Sequence, residues 1–226
     1  MIRHSILIAA LWLGGTALYA QTAQQWRDSM EVLNRQIKLE PKYNVDTHLH
    51  KAAVNLQLQQ FDYAIEEYTT ILTYSAHNPA ALFYRAYAHE NLRHYVLACN
   101  DYKELLKWVP LHFEARLGLS YVYQQMNDKQ GAYDELNALV EQHPDSATAY
   151  VARASFEQNV LKQPSVALYD WQQASKLNPA NREYQISQVK LLIDMKRREE
   201  ARDLMDKMVH AGVPRGSLQF YYQKCK

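Results

Sequence analysis

The sequence predicts an all-α fold: an α-solenoid of about five helix hairpins, with a leading helix and a C-terminal capping helix. Three observations predict it. Gly 6 and Pro 7 in 226 residues are too few for a turn-dense β fold. Ala64, Ala98, Ala132, Ala167 and Ala201 recur at separations of 34, 34, 35 and 34, and a fixed period of this length marks a repeat architecture. Within a period the apolar spacing is helical: Leu82, Arg85, Ala86 and His89 fall at i, i+3, i+4, i+7.

The elements follow in chain order. Residues 1–20 read as a secretory signal peptide: basic Arg3, an apolar run from Ile6 to Leu13, breakers Gly14 and Gly15, then small Ala20. The run is shorter than the roughly 20 apolar residues that a permanent span needs, and an uncleaved anchor is the alternative. Residues 21–44 carry a leading helix with Met30, Leu33 and Ile37 on one stripe and Pro41 as its stop. Five hairpins are expected at 45–78, 79–112, 113–147, 148–181 and 182–213. In the middle three a proline (Pro110, Pro144, Pro179) stands twelve residues after the repeating alanine. There it ends one hairpin and starts the next, because it cannot donate inside a helix but suits a first turn. Residues 214–226, with Leu218, Tyr221 and Tyr222, form the capping helix that shields the last apolar face.

The pattern Leu82-x2-Arg85-Ala86-x2-His89, then Ala98-x3-Tyr102, then Pro110, resembles the tetratricopeptide repeat (TPR) family. Tyr150-x2-Arg153-Ala154-x2-Glu157, Ala167-x3-Trp171 and Pro179 repeat it. Small residues stand where helices approach closely: Ala52, Ala86, Ser120 and Ala154. The first unit departs from the pattern, with polar His48, Lys51 and Asn55 on its inward stripe. The fifth departs with Val189 at the small position. The resemblance covers residues 45 to 213.

A charge pattern shares the period. Three residues after each alanine come Glu67, Asp101, Glu135, Asp170, then Leu204; the matching first-helix sites are Lys51, Arg85, Leu119, Arg153 and Gln188. Structural ion pairs are expected between Lys51 and Glu67, Arg85 and Asp101, and Arg153 and Asp170. In the third unit only the acid is present. Arginine suits such a clamp because its fork grips a carboxylate twice.

The resemblance implies that the first helices line a concave groove. On the predicted open face stand Gln57, Phe83, Tyr84, Tyr87, Asn91, Tyr121, Gln124, Gln125, Gln158 and Asn159. Gln57, Asn91, Gln125, Asn159 and Asp194 form a column with steps of 34, 34, 34 and 35. A primary amide offers two donors and an acceptor, which matches a peptide backbone. Such a column can hold an extended segment while the aromatics anchor it. The competing reading is that these amides face water or cap their helices and the aromatics pack on the next unit.

Composition narrows the function. Lys+Arg 25 against Asp+Glu 24 leaves +1, without the basic footprint of a nucleic-acid binder. No GxGxxG, GxxxxGK[ST], GxSxG or HExxH occurs, so no catalytic residue, metal site or cofactor is expected. His48 and His50 lie about 200° apart on a helix, which keeps one metal from taking both. His89 reads as a satisfied core residue. Cys99 reads as packed, and Cys225 as exposed and able to bridge to another chain, a route to self-association. The expectation is a non-enzymatic scaffold that binds a protein or peptide partner in the groove. It is exported, to the periplasm if the cell has two membranes and otherwise to the outside. The alternatives are an accessory subunit of an envelope complex that uses its outer faces, or an enzyme with a cryptic site.

Overall fold

A computed structural model describes residues 23–39 and 43–226; the expected signal peptide lies outside the described residues. Among the described residues there is no strand. The chain divides into two compact units, Met1–Pro110 and Leu111–Lys226.

The first unit holds α1 (Ala23–Leu39), α2 (Val45–Gln57), α3 (Phe61–Tyr74), α4 (Pro79–Asn91) and α5 (Tyr95–Trp108). Helices α2 and α3 form one hairpin and α4 and α5 the next; α3 packs on α4, and α1 packs on α2. Ala52, Ala64, Tyr68, Ile71 and Ala81 make a buried core among α2, α3 and α4. Alanine at these crossings lets the backbones close up while Tyr68 and Ile71 fill the space between them.

The second unit holds α6 (Phe113–Gln125), α7 (Lys129–Gln142), α8 (Ala147–Phe156), α9 (Pro164–Leu177), α10 (Arg182–Asp194), α11 (Arg198–His210) and α12 (Gln219–Lys224). Three hairpins pair α6 with α7, α8 with α9 and α10 with α11. The capping segment is a 3-10 turn, Arg215–Leu218, that runs into α12. Leu218 and Cys225 are buried against Met205, Met208 and Val213.

The period shows in the termini of the helices. The first helix of each hairpin starts at a capping side chain: Asn44, Asn78, His112, Ser146 and Asn181 each accept a hydrogen bond from a first-turn N–H. Each first helix ends at a left-handed residue: Gln59, Arg93, Asn127, Lys162 and Lys196, with φ between 57° and 61°. In four hairpins the next N–H reaches back five residues, as from His94 N to His89 O at 2.8 Å. In the α8–α9 hairpin Gln163 N reaches back six, to Glu157 O at 2.9 Å. There α8 runs on into a π turn, Glu157–Leu161. The extra residue of the 35-residue spacing is absorbed at this point.

Candidate protein-binding faces and their ion clamps

The three expected acid–base partners meet across their hairpins. Arg85 donates from Nε to Asp101 Oδ2 at 2.8 Å and from Nη2 to Oδ1 at 2.7 Å. Arg153 grips Asp170 in the same way, at 2.6 and 2.9 Å. Lys51 Nζ sits on Glu67, whose other oxygen lies 2.7 Å from His48 Nδ1. Each arginine has a further use. Arg85 Nη1 donates to Thr69 Oγ1 on α3 at 3.1 Å, and Arg153 Nη1 to Asn137 Oδ1 on α7 at 3.0 Å. A guanidinium thus ties its own hairpin together and joins it to the preceding one, which a lysine ammonium cannot do with the same fork.

Sequence spacing missed two partners. Glu135, the acid without a predicted base, takes Arg116 Nη1 at 2.6 Å. Arg116 stands one turn before Leu119, and the matching register hid it. In the last hairpin Gln188 fills the basic position as a buried neutral substitute, donating to Trp171 O at 3.1 Å and Ser175 Oγ at 2.5 Å.

The π turn holds a fully buried acid, Glu157. Tyr133 OH donates to Glu157 Oε1 at 2.9 Å, while Oε2 is buried without a partner. Burial pushes the Glu157 carboxyl above its ordinary range, assisted by Asp170 and opposed by Tyr133 and Arg153. Glu90, at the end of α4, is pushed up to about 7 by burial against a bond from Tyr102 OH at 3.1 Å. His89 is buried as expected, but its Nδ1 has no partner, and burial lowers its pKa.

The proposed groove residues divide. Tyr121 is 42% exposed, and Gln57, Asn91, Gln125 and Asn159 are exposed. Tyr84, Tyr87, Gln124 and Gln158 are half-buried. Phe83 does not lie on an open face: it is 7% exposed, with its ring 5.1 Å from Tyr84 and 5.9 Å from Tyr102. Its large apolar ring gains more from this packing than from water. Two amides serve their own helices: Asn91 Nδ2 donates to Tyr87 O at 2.8 Å and Gln124 Nε2 to Ser120 O at 3.4 Å. Gln158 Oε1 instead accepts from Trp171 Nε1 on α9 at 3.3 Å. Asn159 falls inside the π turn, three residues before the left-handed Lys162; Gln57, Asn91, Gln125 and Asp194 stand two before theirs. The column therefore loses its register at Asn159.

Cys225 is not exposed. It is 2% accessible, and Arg202 donates to its carbonyl. Cys99 is buried as well, and both thiols are free. Among the described residues no cluster of His, Cys, Asp and Glu is arranged to hold a metal, and no helix is long and apolar enough to cross a membrane.

Residues 114–146, which span α6 and α7, match the tetratricopeptide repeat family model. The match covers this one hairpin, and the other four share its helix-pair layout. No curated protein matches it in sequence. A TPR protein from Parabacteroides merdae ATCC 43184 is similar in structure, with a TM-score of 0.65 at 19% identity, covering 90% of this chain and 86% of that one. A MamA structure has a TM-score of 0.62 at 15% identity, covering 74% of this chain and all 100% of its own. MamA from Desulfovibrio magneticus RS-1 has a TM-score of 0.59 at 18% identity, covering 81% and 94%. At these identities the likeness is one of TPR fold.

Proposed function

We propose that this TPR chain is an exported, non-catalytic scaffold that holds an extended peptide or partner segment against the first helices of its hairpins. TPR folds are protein-interaction folds, and the observation that favours first-helix faces is on α6. Tyr121 keeps 42% of its surface in water, and exposed Gln125 follows one turn later. An aromatic anchor beside an amide offers both contact area and backbone hydrogen bonds to an extended segment. The apolar run at 6–13, behind Arg3, supports export through a cleaved leader.

The test is capture of partners from the envelope fraction with the wild-type chain and with Tyr121→Ala combined with Gln125→Ala. The double variant is expected to lose the captured partner by about tenfold or more, as for two interface contacts, with unchanged circular dichroism. Undiminished capture removes the α6 face from the reading. Fractionation of cells tests the export.

A second reading assigns binding to outer faces. It is favoured by Val96, Leu97 and Trp108, which α5 leaves exposed. Leu97→Asp with Trp108→Ala separates the two readings, because only the second predicts that this pair loses the partner.

A further inference from the structure

The α8–α9 hairpin carries a buried carboxyl that its surroundings do not balance. Glu157 begins the π turn and is 1% exposed. Tyr133 OH of α7 donates to its Oε1 at 2.9 Å, and its Oε2 is buried with no hydrogen-bond partner among the described residues. Arg153 of α8 places Nε 3.9 Å from Oε1. Its three nitrogens are already engaged, two by Asp170 of α9 and one by Asn137 of α7. Tyr133, Arg153 and Asp170 are the titratable groups that act on Glu157 from α7, α8 and α9. One guanidinium therefore stands against two buried acids. An ionised Glu157 leaves charge on an unpaired buried oxygen, whereas a protonated one leaves only a hydroxyl, and the charged form costs far more.

The same residue closes the turn. The Glu157 carbonyl accepts from Lys162 N–H and, at 2.9 Å, from Gln163 N–H. Lys162 sits at φ 57°, which is disfavoured for a residue with a side chain. The turn is thus wide, strained at its far end and tied at one carbonyl. A carboxylate at Glu157 gains water only by displacing that residue, and with it both closing bonds.

We propose that the π turn is a proton-operated hinge, closed while Glu157 is neutral and opening locally when Glu157 ionises. Opening releases Gln158 from Trp171 Nε1 and moves Asn159. Both are groove residues of the sequence reading, so α8 offers a different face in acid and in alkali. The hinge does not depend on the groove holding a peptide, and its test needs no partner. In the open turn the carboxyl titrates near its ordinary 4.5; in the closed turn burial raises it. Closure is therefore complete below about 4.5. Above that the opening constant rises about tenfold per pH unit, for one proton released, and levels off once the closed form ionises.

The experiment is amide hydrogen exchange on the full chain from about pH 5 to about pH 9, each rate divided by its random-coil rate. Lys162 and Gln163 are expected to follow the tenfold slope. Glu157→Gln, neutral throughout, is expected to give a flat profile while Glu90 and the other acids still titrate. The buried amides of Leu119 and Val189, in the same compact unit, are expected to open at least about tenfold less. Tyr133→Phe removes a bond that favours the ionised form, so the levelling-off should move up by about one pH unit. That variant carries the test if Glu157→Gln does not fold. A flat wild-type profile overturns the hinge. So does the same slope in Glu157→Gln, an unmoved levelling-off in Tyr133→Phe, or opening of Leu119 and Val189 together with the turn, which is unfolding of the whole unit.

Discussion

Arg116 and Glu135 lie across the α6–α7 hairpin with Nη1 2.6 Å from Oε2, and Arg116 Nε also donates to Gln142 Oε1 at 3.1 Å. The acid occupies the same repeat position as Asp101 and Asp170, yet its base comes from one turn earlier on the first helix. A hairpin can therefore close its polar seam from either of two helical positions. A double-mutant cycle with Arg116→Ala and Glu135→Ala is expected to give a favourable coupling of about 1 kcal/mol in urea unfolding, in the range for part-buried partners. A coupling of zero would show that the two side chains merely lie near each other.

Arg85 should matter more than surface arginines. Asp101 is buried, so Arg85→Leu leaves a carboxylate without its counter-charge and frees Thr69 as well. The loss is expected to be about 3 kcal/mol, as for breaking a buried pair by removing one partner. Arg197→Ala, which cuts a solvent-exposed contact to Glu200, should leave the unfolding midpoint almost unmoved. Equal midpoints for the two variants would refute the clamp.

Glu90 gives the fold a pH dependence of known sign. Its folded pKa lies at about 7, above the ordinary carboxyl value of 4.5. A raised acid favours the protonated state, so its contribution is complete below about 4.5 and is lost as pH rises through about 7. Stability should fall between pH 5 and pH 8 by more in wild type than in Glu90→Gln, which is neutral throughout. Glu157 has the same sign, again through burial. Urea midpoints across that range check this, and parallel profiles for wild type and Glu90→Gln would contradict it.

Burial of both thiols changes what is expected of the cysteines. Cys99 and Cys225 should react with a thiol reagent only as fast as the protein opens, and the native chain should run as a monomer on a non-reducing gel. Rapid labelling of Cys225 within mixing time would mean that α12 lifts from the core.

The period of 34 made the paired helices and three of the charge pairs legible, because one alanine per unit must lie at a helix crossing. The step of 35 between Ala132 and Ala167 announced an extra residue without placing it. Only backbone geometry shows a π turn at Glu157–Leu161, since nothing in EQNVL separates a wide turn from a regular one. Phe83 was misread because position on a helix says which way a side chain leaves the axis, not whether Tyr84 and Tyr102 will cover it. Asn55 and Lys51 stood out as polar residues on an inward stripe, and with Tyr63 and Glu66 of α3 they line an open pocket beside α1; Tyr63 and Glu66 carried no signal of their own.

Five side-chain-bearing residues, Gln59, Arg93, Asn127, Lys162 and Lys196, turn their hairpins with positive φ. For all but Asn127 that backbone state opposes an L-residue's preference by about 1 kcal/mol or more, a burden that glycine does not carry. Thermal tolerance is thus adjustable in small separate increments, one bend at a time, by exchanges that leave the aromatics, the amides and the guanidinium clamps in place.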